Sequence, residues 1–575
     1  MHTFCVWGPR AGAVSLVLAD GSRPMQRGDG GWWRLEVAEA GHGTEYGFSV
    51  DGGEAMPDPR SGWQPVGVHG VSRVFDASRF GWSDGGWGGR DVRGAVFYEL
   101  HVGTFTAEGT LEAAAGHLDY LVALGVQVVS LMPVAAFPGR HGWGYDGVDL
   151  YAVHEPYGGP EALQRFVDQC HGVGLAVCLD VVYNHLGPSG NYLDAFGPYF
   201  TGKHTTPWGP AVNLDDEGSV EVRRFICDNA LRWFRDFHVD ALRLDAVHAL
   251  VDDSPQHLLA QLSVETAALS AELGRPLGLV AESDLNDPRM VEPVAEGGLG
   301  MTAQWSDDFH HALHTLLTGE RAGYYEDFAQ PGVFAKTLTQ VFLHDGSYST
   351  FRGKEWGRPV DPVRHRGSEF LAYTSNHDQV GNRALGDRPA LTPGQLAIGA
   401  ALVITSPYTP MLFMGEEWGA STPWRYFTDH EEPELAEAVR TGRRREFAAY
   451  GWDAGEIPDP QDPETWRSSV LDWAEVDRSP HRELLSWYRD LLALRARTDE
   501  LRDDRLGSVD LTYDVDGSWL VVARGALRIV VNLSDATDVV PLDQAPQDRV
   551  IAYGDAEIVA EGARLAGHGV AIYAV

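Results

Sequence analysis

The sequence predicts an α/β chain, a barrel of parallel strands wrapped by helices, set between two β-sandwiches. Three observations point to it. From about residue 91 to 490, strand-length apolar runs alternate with stretches of helical periodicity, the rhythm of a parallel barrel. Four of those runs end abruptly in carboxylates, histidines and an arginine, as strands do when their carboxyl ends build an active site. Residues 1–90 and 491–575 instead hold short alternating strands divided by glycine turns.

In the first region Phe4–Trp7, Val14–Leu18, Trp32–Val37 and Tyr46–Val50 read as sandwich strands. The turn-rich link Pro57-Asp58-Pro59 through Pro65 leads on to the run Ala95 to Val102, the first barrel strand. Leu118, Leu121, Val122 and Leu124 mark the helix after it, Val126 to Val134 the second strand, and Leu163, Phe166, Val167 and Cys170 the second helix. The third strand, Leu175 to Leu179, runs into Asp180-Val181-Val182-Tyr183-Asn184-His185. Residues 186–218 then break the rhythm with Gly, Pro, Asn and aromatic residues and no clear helix; an irregular loop of that length inside a domain is usually functional. Val222, Phe225, Ile226, Trp233, Phe234 and Phe237 restart helical spacing ahead of the fourth strand. Leu277 to Ala281, Met301 to Trp305, Phe370 to Thr374 and Pro410 to Glu417 supply the rest. Asp307 is placed to cap the helix after the sixth strand, and His310 and His314 fall one turn apart on it, a spacing that suits packing better than metal ligation when further ligands are lacking. Residues 418–480 form an insertion whose Arg443-Arg444-Arg445 reads as a solvated helix face, and Leu484 to Leu494 closes the barrel.

The run Val239 to His248 carries the chemistry. Side chains alternate along a strand, so Leu242 and Leu244 face one way while Arg243 and Asp245 share the other. A guanidinium beside a carboxylate keeps it ionised and available as a nucleophile. Converging strand ends bring Asp180, Asp245, Glu282 and Asp378 together with Arg243, His185 and His377. Clustered carboxylates without a serine triad point to glycoside hydrolysis, one attacking and another protonating the leaving oxygen, and like charges raise the pKa of the acid. A metal site is the competing reading; the arginine inside the cluster and the lack of H-E-x-x-H or EF-hand spacing argue against it.

The segments DVVYNH (180–185), ALRLDAVH (241–248), VAES (280–283) and TSNHD (374–378) resemble, in order, the four signature regions of the α-amylase family. That resemblance implies a (β/α)8 TIM barrel and retaining chemistry. Asp245 matches the nucleophile, Glu282 the general acid/base and Asp378 the carboxylate that grips sugar hydroxyls. Arg243, His185 and His377 match residues that orient the nucleophile and bind that sugar, Asp180 a supporting aspartate, and Tyr145 the aromatic that stacks on the ring; His248, at the end of the second of these segments, is a further substrate-binding candidate. Residues 1–90 resemble the starch-binding-like, immunoglobulin-like modules of branching enzymes and isoamylases. Outside the signature regions, SGWQPVGVHGVS (61–72), QWSDDFHHALH (304–314) and TPWRYFTDH (422–430) resemble the maltooligosyltrehalose trehalohydrolase family. The substrates implied are maltooligosyl trehalose and α-glucan oligosaccharides, with trehalose released. Its selection belongs on the leaving-group side of Glu282, where the segments around Trp305 to His311 and Trp424 to His430, with Asp308 and Tyr426, are expected to shape the pocket. A 1,4-α-glucan branching enzyme, another α-amylase-family hydrolase and an inactive glycan-binding protein remain the alternatives.

The 575 residues carry a formal charge of −37, which disfavours nucleic acid and anionic membranes as partners. The four cysteines lack metal or disulfide-framework spacing, and neither a signal peptide nor a membrane span is visible, so a cytoplasmic enzyme with reduced thiols is expected. No cofactor is expected. Calcium in this family sits near the asparagine matched by Asn184, with Asp194 and Asp215 as further candidates, but nothing in the sequence brings them together and no metal is assigned.

Overall fold

The computed structural model describes residues 1–448, 453 and 455–575. Eight parallel strands close into a barrel: β1 Phe97–Leu100, β2 Val128–Leu131, β3 Ala176–Val181, β4 Ala241–Leu244, β5 Gly278–Ala281, β6 Ala303–Trp305, β7 Phe370–Ala372 and β8 Thr409–Phe413, which pairs back onto β1. Their two faces divide as the period of two requires. Val129, Leu131, Val177, Leu179, Leu242 and Leu244 pack outward beneath the helices, while Phe97, Val128, Ala176, Cys178, Ala241, Val280 and Trp305 belong to a separate cluster filling the barrel. On that inward face β3, β4 and β5 begin with a small or apolar residue and end with a charge: Ala176, Cys178, Asp180; Ala241, Arg243, Asp245; Val280, Glu282. The chemistry is thus confined to one end.

The surrounding helices follow their apolar spacing. Ser219–Asp236 buries Val222, Phe225, Ile226, Ala230, Trp233 and Phe234. Pro393–Ile404 starts on a Thr392–Gln395 capping box, with Pro393 in the first turn, where its missing N–H costs nothing. His481–Arg497 runs through the boundary expected at 490/491, and the first carboxyl-terminal strand begins at Val509. The strands from Val509 to Ala574 form a five-stranded and a three-stranded antiparallel sheet.

At the amino terminus His2–Trp7, Val14–Leu18, Trp32–Val37 and Glu45–Val50 lie in two antiparallel sheets. Trp7 and Trp33 are buried. Arg60 fastens this region to the barrel, donating at 2.9 Å to both Asp228 and the Tyr151 hydroxyl, and Trp63 donates to Glu155 at 2.8 Å. The chain then crosses the closed end of the barrel, where Trp87 donates to the buried Asp240 at 2.8 Å. The excursion at 186–218 is more ordered than its composition suggests: a short helix, Leu193–Phe196, precedes a hairpin of Phe200–Thr206 and Gly209–Val212. Trp7 supports it from below, with its ring lying where a side chain at Gly197 or Gly218 would have to go.

Two local expectations change. Ser306 rather than Asp307 occupies the N-cap position of helix Asp307–Thr318; Asp307 lies in the first turn and its Oδ1 accepts from the Tyr373 hydroxyl at 2.5 Å. Arg443 leaves the solvated face of helix Pro433–Ala448: it donates to the carbonyls of Gly381 (2.9 Å) and Arg383 (3.1 Å) and lies over the Tyr426 and Phe447 rings. A stem flanked by aromatic rings and a head on two carbonyls suit an arginine to burial that a solvated charge would resist. His310 and His314 are packing residues, bonded to the Thr374 carbonyl and to Glu320.

Candidate active site

Arg243 is the hub. It is buried in the barrel, and its Nη1 donates to Asp180 (2.8 Å) and Asp245 (2.9 Å), while Nη2 lies 3.1 Å from Glu282. The strands enforce this, since Asp180 pairs with Arg243 across β3 and β4 and Arg243 with Val280 across β4 and β5. The guanidinium also lies 4.3 Å from the centre of the Trp305 ring on β6. One cation is shared by three carboxylates in a site shielded from water.

Each carboxylate is held differently. Asp245 takes Arg243 on Oδ1 and the Asn184 amide on Oδ2 at 2.8 Å. Glu282 takes the Ala246 N–H on Oε2 at 2.6 Å, so the residue following Asp245 in sequence also fixes the partner acid. Burial, with Asp245 and Asp378 nearby, outweighs Arg243 and pushes the Glu282 carboxyl up to about 8. Asp180 is raised to about 6, chiefly by burial. Asp378 is the more open group, with Oδ1 accepting from Asn382 at 3.1 Å and Oδ2 3.4 Å from His377 Nε2.

The aromatic and imidazole groups close the ring. Tyr145 bonds through its hydroxyl to Asp180 and His377, each at 2.8 Å, with its ring stacked on His377. His185 shares a hydrogen bond with Asn184 and stacks at 4.5 Å on Trp208, a half-exposed residue of the excursion hairpin. His248 stands apart, 3.8 Å from Asp284. Asn184 spends its amide on Asp245, and Asp215 is taken up by Lys203, His204 and the Asp253 N–H. Among the described residues His204, Asp215 and Asp253 alone have metal-ligand spacing, and the Lys203 ammonium already lies against both carboxylates, 2.8 Å from Asp215 and 3.7 Å from Asp253.

Two expected outer residues sit elsewhere. Asp308 is buried, and its Oδ2 accepts from Asn286 and from the N–H groups of Leu343 and His344. It braces a loop rather than facing the crevice. Tyr426 packs edge-on against Trp143, which in turn meets His377, so it lies on the His377 side and not beside Glu282. What adjoins Glu282 is Asp284, whose carbonyl accepts from Trp356 at 2.7 Å and whose carboxylate lies 3.4 Å from Arg352. Those partners belong to the hairpin Ser347–Ser349 and Lys354–Trp356. Beside it Phe351 (55% exposed) meets Tyr324 (39% exposed) at 6.0 Å, an open aromatic surface that periodicity could not distinguish from core. Glu99 was also missed. It is buried on β1, where Tyr98-Glu99-Leu100-His101 has the same charge-at-the-strand-end form as the other motifs.

Comparison with known proteins agrees with this architecture. Residues 74–198 match the model "Alpha amylase, catalytic domain", residues 1–63 "Carbohydrate-binding module 48 (Isoamylase N-terminal domain)", and residues 504–572 a "Domain of unknown function (DUF3459)". The malto-oligosyltrehalose trehalohydrolase of Arthrobacter ramosus is 52% identical over 99% of both chains. The chain belongs to the malto-oligosyltrehalose trehalohydrolase family. The same enzyme from Rhizobium sp. (strain M-11) is 52% identical over 96% of this chain and 94% of its own. A crystal structure described as "Putative alpha Amylase from Salmonella typhimurium" superposes with a TM-score of 0.91 at 36% identity, covering 100% of this chain and 97% of the other. The chain is therefore a glycoside hydrolase of the α-amylase family. Among the described residues no helix is long and apolar enough to cross a membrane.

Proposed function

We propose that the chain hydrolyses the α-1,4 bond next to the terminal trehalose unit of maltooligosyl trehalose, releases trehalose with retention at the cleaved anomeric carbon, and works in the cytoplasm, where four unpaired thiols suit a reducing compartment. The observation that carries the chemistry is the single guanidinium in reach of both Asp245 and Glu282. It favours the close carboxyl spacing of retaining enzymes, about 5–5.5 Å, over the wider inverting arrangement. Glu282 protonates the bridging oxygen through Oε1, since Oε2 is already engaged by Ala246 N–H. Asp245 attacks the anomeric carbon, its lone pairs aimed by Asn184 and Arg243. Water then attacks the glycosyl ester with Glu282 as base. Asp378, His377, Tyr145 and His185 bind the sugar undergoing attack, Asp180 steadies Arg243, and His248 lies toward the leaving group beside Asp284.

The substrate rests on the near-full-length relatedness to the trehalohydrolases. On this reading Phe351, Tyr324 and Arg352, adjoining Asp284 on the acid's side, receive the trehalose end. Aromatic faces suit the apolar faces of its two glucose units, and the arginine suits its hydroxyls. Incubation with trehalose-capped maltooligosaccharides is expected to release trehalose, and proton NMR of the early product to show the α-anomer at the new reducing end. Formation of α-1,6 branches from amylose, with no release of trehalose from capped chains, would instead assign a branching activity.

A further inference from the structure

We propose that Glu99 is a positioning residue for the reaction: it grips His377 by two bonds and fixes the Nε2–H of that imidazole toward Tyr145 and Asp378. The grip is two-pronged. Glu99 Oε1 is 2.7 Å from His377 Nδ1, and Oε2 accepts the backbone N–H of His377 at 3.0 Å. Both side chains are essentially sealed from solvent, at 2% and 1% exposure. Glu99 sits on β1 next to Phe413 of β8, and its own backbone oxygen accepts the Met414 N–H. The support is thus a hydrogen-bonded strand pair of the barrel rather than a loop, and it bears on the residue just before Asp378.

The consequence for His377 is tautomeric and electrostatic. A carboxylate on Nδ1 fixes that nitrogen as a donor; Nε2 then faces Asp378 Oδ2 at 3.4 Å and, at 2.8 Å, the Tyr145 hydroxyl, which donates its own proton to Asp180 and so accepts from Nε2–H. The ring is faced by Glu99 from β1, His101 just beyond it, Tyr145 from the loop after β2, Asp180 from β3, Arg243 from β4 and Asp378 from its own segment. Burial and Arg243 oppose a charge there. The Asp378 and Glu99 carboxylates overcome them and push the imidazole up to about 9. A charged imidazole keeps Asp378 aimed into the crevice and leaves a donor ready for a sugar hydroxyl. A neutral one is free to present a lone pair to Asp378 and repel it. This assignment rests on the proposed hydrolysis only for its kinetic readout; the titration below is independent of the substrate.

Glu99→Gln keeps the shape, removes the charge and sets an amide donor against one of the two N–H groups. The expected result is a fall in kcat of roughly 10²-fold, the scale of losing one preorganised donor, with KM changed much less. His377, followed by NMR of histidine-labelled protein, is expected to titrate at least one pH unit lower in this variant. In the His377→Asn background, Glu99→Gln is expected to cost nothing further, because the residue it acts through is gone. An unmoved titration, or losses that multiply in the double variant, overturns the assignment. If Glu99→Gln does not fold, the unmodified protein decides the matter: both ring nitrogens of His377 protonated at pH 7.5 support it, and a neutral ring refutes it. Absence of trehalose release with the titration result intact would overturn the substrate reading and leave this one standing.

Discussion

The rise of the Glu282 carboxyl from near 4.5 to about 8 has a cost that a single substitution exposes. The folded protein binds this proton more tightly than the unfolded chain does, so the associated stability is fully present below about pH 4.5 and is lost as the pH climbs through 8. The full interval corresponds to roughly 5 kcal/mol. Glu282→Gln keeps the shape and abolishes the titration. Its side chain still accepts the Ala246 N–H, while the charge opposed by Asp245 and Asp378 is gone. The variant is therefore expected to be more stable than the parent at pH 9 by several kcal/mol and nearly equal to it at pH 4.5, with turnover lost by at least about 10⁴-fold. Chemical denaturation at the two pH values measures the first quantity. The parent's kcat/KM, which reports the free enzyme, is expected to fall tenfold per pH unit above about 8 as the acid loses its proton. A Glu282→Gln variant no more stable than the parent at pH 9, or a parent profile level to pH 10, would refute the claim that burial and neighbouring carboxylates hold this acid protonated.

Three other outcomes follow from contacts already described. Asn184→Ala removes two 2.8 Å bonds to Asp245, one to its carboxylate and one to its carbonyl; kcat is expected to drop by about 10- to 100-fold with KM less affected, and unfolding to become easier by about 1–3 kcal/mol as buried acceptors go unpaired. Phe351→Ala is expected to reduce the preference for trehalose-capped over plain maltooligosaccharides by about tenfold, the scale of one stacking ring, measured as a ratio of kcat/KM values; an unchanged ratio would remove this ring from the trehalose side. Arg443→Ala frees the Gly381 and Arg383 carbonyls that flank Asn382, the partner of Asp378, and is expected to raise KM with kcat nearly constant and to cost about 1–3 kcal/mol in thermal denaturation.

What sequence could and could not reveal follows one physical line. The barrel and its inner acids were legible because strand alternation is local: the face carrying Ala241 and Arg243 must carry Asp245 too. Four such strands specify a crevice without any long-range knowledge. Glu99 obeyed the same rule, sharing its face with His101, but lay outside the four signature regions that drew attention to the other strands. Outer residues depended on loops, where direction is set by tertiary contact. Asp308 and Asp307 are adjacent in sequence, yet one braces Leu343 and His344 while the other meets Tyr373, a division no periodicity encodes. Arg443 misled for a related reason: three consecutive arginines imply a wet face, and only the approach of Tyr426 and the Gly381 carbonyl turns the first of them inward. The Phe351 and Tyr324 surface could not be separated from buried aromatics by composition.

Trp7 gives the amino-terminal sandwich a meaning other than carbohydrate capture. Its ring sits against Gly197 and Gly218, on either side of the hairpin that brings Trp208 against His185. With Trp7 and Trp33 buried, the module meets the barrel as a buttress meets a vault: it carries the load of one wall of the crevice. Trimming the chain back to the barrel is then expected to loosen that wall of the crevice.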